Sequence, residues 1–187
     1  MHDLRNLFIG MLGCAVALGA GGTQAAAPVP VARDGQHDFD FNLGTWHTHI
    51  RSVSDPFSGT ASATVMDGTV TVRKVWDGRA WLEEIEADGP DGHWQGATLF
   101  LYDPQSGQWS QAFVDSSNGK LNAPTIGSFH DGVGELYATD RFNGRQVLVR
   151  GVWSNIKPDS HSYTESYSDD GGKTWHPVFI GDLTRVK

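Results

Sequence analysis

The sequence is poor in cysteine and in basic charge. Its 187 residues include one cysteine, Cys14, so an intrachain disulfide and a multi-thiolate metal site are excluded. Lysine and arginine total 14 against 22 aspartate and glutamate residues, which gives a formal net charge of −8. Such a chain lacks the basic surface that nucleic acids and anionic membranes attract. We therefore expect neither as a partner.

Long apolar runs are also scarce, and the one that exists lies near the N-terminus, from Leu7 to Ala20. Arg5 precedes this run and small residues follow it, a pattern typical of an export signal that is cleaved near residues 25–27. The run is shorter than the ~20 residues that cross a bilayer, so we expect no membrane insertion. The pattern predicts a signal peptide over residues 1–25 and a periplasmic or secreted protein.

A second way of processing the N-terminus centres on Cys14, because Leu12-Gly13-Cys14 is similar to the end of a lipoprotein signal. The apolar run continues beyond Cys14 to Leu18, which favours ordinary cleavage and a mature chain without cysteine. Residues 26–35, rich in Ala and Pro, are expected to form a flexible tether. Residues 36–187 then have the length of one domain.

The remainder of the chain has no helical periodicity. Short stretches rich in Val, Thr and aromatic residues alternate with Asx-Gly pairs, whose residues tolerate the positive φ of hairpin turns. We expect a turn at each of eight pairs: Asp67-Gly68, Asp77-Gly78, Asp88-Gly89, Asp91-Gly92, Asn118-Gly119, Asp131-Gly132, Asn143-Gly144 and Asp170-Gly171. The predicted strands are 45–54, 60–66, 69–76, 79–87, 94–102, 108–115, 124–130, 133–142, 146–155, 161–168 and 174–186.

Sequential hairpins of this kind close most naturally into a barrel, which removes the exposed edges of a sheet. We predict an all-β fold, an up-and-down antiparallel β-barrel of about eight to ten strands. A short helical turn within residues 36–43 is expected to precede the first strand. A sandwich of two sheets is the alternative architecture.

Both ends of the domain show a family resemblance. Gly44-Thr45-Trp46 resembles the opening of a calycin, or lipocalin-like, barrel, and Arg185 lies where such barrels carry a basic residue on the last strand. The resemblance implies that Gly44, Trp46 and Arg185 close the barrel, with the guanidinium over the indole ring.

A wider resemblance covers nearly the whole domain. The chain is similar to exported bacterial calycin-like proteins of a domain family of unknown function. The stretches that carry the similarity are Phe39-Asp40-Phe41-Asn42-Leu43-Gly44-Thr45-Trp46, Tyr102-Asp103-Pro104-Gln105-Ser106-Gly107-Gln108-Trp109, Phe129-His130-Asp131-Gly132-Val133-Gly134-Glu135, Val149-Arg150-Gly151-Val152-Trp153-Ser154-Asn155-Ile156 and Ser168-Asp169-Asp170-Gly171-Gly172-Lys173-Thr174-Trp175. It implies export, a barrel and the binding of a small ligand.

The candidate ligand-binding residues combine a few directional polar groups with aromatic walls, as small-molecule pockets do. They are Trp109, Gln111, Phe113, Arg150, Trp153, Tyr163 and Glu165. An internal Arg150–Glu165 pair that only fills the barrel is the alternative interpretation of this set. We expect the ligand to be a small, partly apolar molecule that is bound without chemistry, and we assign no catalytic residue, metal or cofactor.

Two other functions stay open at this point. The first is an enzyme with Glu165 as base and His161 as its partner, although two residues four apart on a strand lie about 13 Å from each other. The second is a non-catalytic interaction module of the cell envelope. A haem pocket with His161 or His176 as ligand is a lesser possibility.

Two further motifs receive structural interpretations. Ser168, Asp170, Gly172 and Thr174 match the Asp-box of sialidase propellers, but the motif occurs once, so we interpret it as a hairpin whose side chains bond the turn backbone. In the acidic run that starts at Glu83, alternation places this residue on the face of Trp81 and Ile85. The two other glutamates, Glu84 and Glu86, share the opposite face.

Overall fold

The computed structural model describes residues 34–58 and 62–187. The predicted signal peptide, Cys14 and nearly all of the predicted tether lie outside the described residues. The elements are a 3₁₀ turn at Asp40–Asn42 and the strands β1 (Gly44–Val53), β2 (Ala63–Val75), β3 (Ala80–Gly89), β4 (Gly92–Asp103), β5 (Gln108–Asp115), β6 (Thr125–His130), β7 (Val133–Phe142), β8 (Arg145–Lys157), β9 (Ser160–Ser168) and β10 (His176–Arg185), with a second 3₁₀ turn at Trp76–Gly78 between β2 and β3.

Each strand pairs antiparallel with its neighbours in sequence, and β1 also pairs with β10. The sheet is therefore a closed ten-stranded up-and-down barrel, which confirms the predicted fold class. No helix within the described ranges is long and apolar enough to cross a membrane.

Two of the predicted Asx-Gly turns are two-residue hairpins of the expected kind. Asp131 and Gly132 connect β6 to β7 with φ of 50° and 78°, and Asn143 and Gly144 connect β7 to β8 with φ of 49° and 79°. Positive φ at both central positions defines the type I′ turn, whose twist matches that of the flanking strands. The sequence pattern thus located these turns for the right reason.

The prediction of a turn at Asp67-Gly68 was wrong, because both residues lie inside β2 and pair with β3. The two strands predicted at 60–66 and 69–76 therefore form one strand. A Cβ added to Gly68 would lie 2.0 Å from the carbonyl oxygen of Glu86, so this glycine serves a close approach of two backbones rather than a turn. The turn predicted at Asp88-Gly89 is also displaced, because both residues belong to the end of β3. Gly89 pairs with Gly92, so the turn consists of residues 90 and 91.

One end of the barrel is closed by a cluster of aromatic side chains around Phe39, which we call the plug. The Phe39 ring is fully buried, and its centroid lies 4.6–5.5 Å from those of Phe100, Trp109, Phe129 and Trp153. The 3₁₀ turn that follows Phe39 brings this ring across the end of the barrel. Three further buried side chains, Trp46, Trp81 and His161, complete the plug.

The contact between the first and last strands forms as the sequence predicts. The Arg185 guanidinium lies 4.0 Å from the centroid of the Trp46 ring, and Trp46 is opposite Arg185 in the β1–β10 ladder. Arg185 also donates hydrogen bonds to the carbonyl oxygens of Phe41, Leu43 and Pro158. The side chain therefore fastens the N-terminal turn and the β8–β9 hairpin to the last strand.

Candidate functional site

The barrel encloses a cavity of about 440 Å³ between the plug and the opposite end, which we call the mouth. This volume lies within the range of small-molecule sites in proteins. Five of the seven candidate ligand-binding residues line it: Gln111, Phe113, Trp153, Tyr163 and Glu165. Apolar and polar side chains contribute to the lining in about equal measure.

The polar groups nearest the plug form a chain of hydrogen bonds. The Trp153 indole nitrogen donates to Gln111 Oε1 at 3.0 Å, and the Gln111 side chain also hydrogen bonds the Tyr163 hydroxyl. Tyr163 in turn donates to Glu165 Oε2 at 3.2 Å. Burial raises the pKa of the Tyr163 hydroxyl well above its usual range, and the adjacent Glu165 adds to the rise. Tyr163 is therefore a neutral hydrogen-bond donor at ordinary pH.

Glu165 is the acidic group at the centre of the cavity wall. Its carboxyl is hydrogen bonded by the hydroxyls of Tyr163 and Tyr167, and both tyrosines also line the cavity. Burial raises the pKa of Glu165, the two hydrogen bonds oppose the rise, and the Asp140 carboxylate near the mouth adds to it. A cation beside this carboxyl would favour its ionised form.

A second buried acid, Glu83, faces the cavity and is not among the candidate residues that the sequence suggests. Its side chain is 4% exposed, and it accepts hydrogen bonds from Asn42 Nδ2 at 3.0 Å and from Thr98 Oγ1 at 2.8 Å. Burial raises the pKa of Glu83, and these two hydrogen bonds oppose the rise. Its shared face with Trp81, which lies in the plug, was the signal in the sequence that it points inward.

Thr125 contributes an unsatisfied polar atom to the same wall. The residue is 6% exposed and lines the cavity, and its Oγ1 has no hydrogen-bond partner among the described residues. Since buried polar atoms are nearly always hydrogen bonded, this buried hydroxyl without a partner is an exception in the cavity wall.

Two candidate residues lie outside the cavity lining. Arg150 is on the outer face of β8, with its guanidinium 4.4 Å from the centroid of the Trp175 ring. The expected inward position of Arg150 was wrong, because it lies three residues from Trp153 on a strand and so points to the opposite face. The internal Arg150–Glu165 pair therefore does not form. Trp109 points inward but belongs to the plug, where its indole nitrogen donates to the carbonyl oxygen of Gly35 at 3.0 Å.

The histidines considered as catalytic or haem ligands do not face the cavity. His161 is 2% exposed in the plug, with its ring centroid 4.4 Å from that of Trp46 and 5.0 Å from that of Phe41. Neither ring nitrogen has a hydrogen-bond partner within residues 34–58 and 62–187, and burial, followed by the charge of Arg185, lowers the pKa of His161 to about 4. His176 packs against Phe57 instead. Neither residue fits a haem held in this cavity.

The described ranges contain no cluster of three or more His, Cys, Asp or Glu residues with the arrangement of a metal site. The Asp-box match is a turn, as predicted: the Asp170 carboxylate accepts hydrogen bonds from the Ser168 hydroxyl, from the backbone of Lys173 and from both the backbone and the hydroxyl of Thr174. These hydrogen bonds hold the pKa of Asp170 well below its usual range.

Solved structures with a similar fold are also β-barrels. An S-type phycobiliprotein lyase from Guillardia theta aligns with a TM-score of 0.56 and 13% identity, over 83% of this chain and 94% of that chain. A redesigned β-barrel bound to DFHBI aligns with a TM-score of 0.44 and 12% identity, over 78% and 99% of the two chains. A de novo designed fluorescence-activating β-barrel gives 0.42 and 17%, over 82% and 99%. At 13% identity the similarity to the lyase concerns the fold alone.

No curated protein matches the chain significantly. A family model does: residues 36–185 match the model described as a protein of unknown function, DUF1579. This range contains the plug, all ten strands and every residue of the cavity lining. The chain therefore belongs to the DUF1579 family.

Proposed function

We propose that the protein binds a small, partly apolar molecule inside the barrel and carries or sequesters it without chemical change. The observation that supports this function is the cavity of about 440 Å³, closed by aromatic side chains at one end and lined by both apolar and polar side chains. A barrel that served only as a scaffold would fill this volume with side chains, because protein interiors are normally close-packed.

The arrangement of the acids gives less support to an enzyme. A Glu165–His161 pair needs both groups at one substrate, yet His161 lies among the rings of the plug while Glu165 lines the cavity. Tyr163 lies between them on β9 and donates its hydrogen bond to Glu165. The phycobiliprotein lyase shares the fold at 13% identity, which supports the barrel but not a shared substrate.

A probe of the cavity tests binding directly. We expect the neutral fluorophore N-phenyl-1-naphthylamine to bind in a one-to-one ratio with increased fluorescence. Ala138 lines the cavity, so an Ala138→Trp variant should fill part of it and weaken binding at least about tenfold. Ala112 lies on the other face of β5, between two lining residues, and Ala112→Trp is the matched control.

Both variants must show cooperative unfolding for the comparison to count. Equal binding by the two tryptophan variants would place the probe elsewhere and overturn the cavity as the binding site. If the wild-type protein binds neither this fluorophore nor naphthyl probes of other charge, the proposed function is wrong.

We further propose that the protein is exported and acts in the periplasm or outside the cell, after cleavage near residues 25–27. The support is the sequence of the N-terminal segment. Intact mass and N-terminal sequencing of protein secreted by a bacterial host should give a mature chain starting at residues 26–28. A lipid-modified Cys14 at the N-terminus would show lipoprotein anchoring instead, and an uncleaved chain would refute export by this signal.

A further inference from the structure

All charged groups that line the cavity are acidic. Glu83 and Glu165 lie on its walls, and Asp115 and Asp140 lie toward the mouth. Within residues 34–58 and 62–187, the lining includes no Lys, Arg or His. The basic residue that the sequence suggested as an internal partner, Arg150, is turned outward. The acidic groups of the cavity therefore have no basic counterpart among the described residues that line it.

The two wall acids differ in what already satisfies them. Glu83 has two strong donors, Asn42 and Thr98, on its two oxygens. Glu165, by contrast, is hydrogen bonded by the hydroxyls of Tyr163, at 3.2 Å, and Tyr167. An ionised carboxylate that is removed from water is costly unless an opposite charge is near it. A positively charged ligand group should therefore be stabilised more by Glu165 than by Glu83.

The wall beside Glu165 is aromatic. Trp94 lies 6.2 Å from Phe113 and 6.5 Å from Phe179 between ring centroids, and Phe179 lies 6.3 Å from Tyr163. All four rings line the cavity. The faces of aromatic rings attract organic cations, most strongly when water is excluded. The same rings accommodate the apolar part of a ligand.

Thr125 also belongs to the cavity lining, and its hydroxyl has no hydrogen-bond partner among the described residues. It is buried, it lines the cavity, and its oxygen can accept a hydrogen bond. An ammonium group carries several N–H donors and no acceptor, so it suits a site that offers carboxylate and hydroxyl oxygens.

We infer that the ligand is an amphipathic organic cation, a protonated amine attached to an aromatic or aliphatic body, with its positive group at Glu165 and its body between the aromatic rings. This inference rests on the proposed binding function and adds the charge of the ligand to it. The ligand supplies the positive charge that the barrel lacks, and the acids toward the mouth favour its entry.

Three probes that share one ring system but differ in charge test the inference by calorimetry at pH 7. They are 1-naphthylmethylamine, which is protonated at this pH, 1-naphthylmethanol and 1-naphthylacetate. We expect the cation to bind about tenfold or more tighter than the alcohol, and the carboxylate to bind weakest. Glu165→Gln should weaken the cation about ten- to a hundredfold and leave the alcohol within about threefold.

Glu86→Gln is the control variant, because it removes the same charge from an exposed position on the outer face of β3. It should leave all three affinities within about twofold. If the alcohol or the carboxylate binds as tightly as the cation, or if Glu165→Gln and Glu86→Gln act alike, the cation inference is overturned while cavity binding stands. If neither these probes nor N-phenyl-1-naphthylamine bind, both the cation inference and the proposed function are wrong.

Discussion

At the scale of single residues, Arg185 joins more parts of the chain than any residue selected from the sequence. Its guanidinium covers Trp46 and reaches three carbonyl oxygens, two of which precede β1. Gly44 is coupled to it: its φ is 114°, and a Cβ there would lie 2.8 Å from Arg185 Nη1. Gly44 therefore leaves the space that the Arg185 guanidinium occupies.

We expect Arg185→Met to lower the free energy of unfolding by about 2–4 kcal/mol, through the lost cation–π contact and the unsatisfied carbonyl groups. Arg185→Lys should lose less stability, because its ammonium keeps a positive charge over Trp46. It should still be less stable than the wild type, because an ammonium lacks the planar fork of donors that reaches three carbonyl oxygens. Denaturant unfolding gives the values. The control is Arg51→Met, at an exposed position on β1. Equal losses for the Arg185 and Arg51 variants would contradict the closing role.

His161 predicts how stability depends on pH. Its pKa is about 4 in the folded protein and 6.5 in a model peptide, so the unfolded chain binds the proton more tightly. The stability that this neutral histidine contributes is therefore complete above pH 6.5 and is lost as the pH falls toward 4. At about 1.4 kcal/mol for each pKa unit, the loss is about 3 kcal/mol.

A His161→Leu variant removes this titration and two unpartnered ring nitrogens. We expect its free energy of unfolding at pH 7 to be equal to or higher than that of the wild type, and its advantage to grow as the pH is lowered from 6.5 to 4. Urea unfolding at several pH values measures the difference, in which the titration of other groups cancels. A constant difference across this range would show that His161 is not the group responsible.

Alternation along a strand predicted which residues share a face, but not which of the two faces points into the barrel. Trp109, Gln111 and Phe113 share the inward face of β5 as expected. On β8 both faces carry apolar side chains, since Trp175 covers part of the outside next to Arg150. A pattern in sequence cannot distinguish a cavity wall from an outer face that another segment covers. Arg150 was misplaced because it was grouped with Trp153, although two residues three apart on one strand have opposite faces.

At the scale of elements, turn chemistry predicted the hairpins where Asx-Gly supplies positive φ and failed where glycine has another use. Gly68 does not have a positive φ; it lies in β2 against the backbone of β3. The same applies to Gly127 of β6, where a Cβ would lie 1.9 Å from the carbonyl oxygen of Glu135. Close contacts between strands depend on tertiary structure, so the local sequence did not reveal them.

Gly68→Ala tests this interpretation of β2. A methyl group 2.0 Å from the Glu86 carbonyl oxygen must displace one of the strands, and we expect a loss of about 1–3 kcal/mol or more in the free energy of unfolding. Thr69→Ala, at the exposed neighbouring position, is the control and should cost less than about 1 kcal/mol. A Gly68→Ala protein as stable as the wild type would mean that β2 and β3 are not this close.

At the scale of the whole molecule, the length of strand pairing differs around the barrel. Strands β5 and β6 pair only where Trp109–Gln111 faces Thr125–Gly127, at the plug end. Toward the mouth, β5 continues to Asp115 without β6 beside it, and the connecting segment 116–124 contributes Asn118, Asn122 and Ala123 to the cavity lining. The sequence indicated closure of the barrel but gave no sign of this gap, because pairing length depends on register.

The gap predicts where the molecule opens to admit a ligand. Backbone amides in weakly paired segments exchange with solvent more readily. Residues 112–115 pair with β4 but not with β6, so segment 112–124 should exchange faster than the β7–β8 hairpin, which pairs from Gly134 to Trp153. Addition of N-phenyl-1-naphthylamine should slow exchange in segment 112–124, since Phe113 and Asn122 line the cavity. Hydrogen exchange with mass spectrometry resolves the segment. The Ala138→Trp protein should show no such protection, and protection confined to the plug would place the entrance at the opposite end of the barrel.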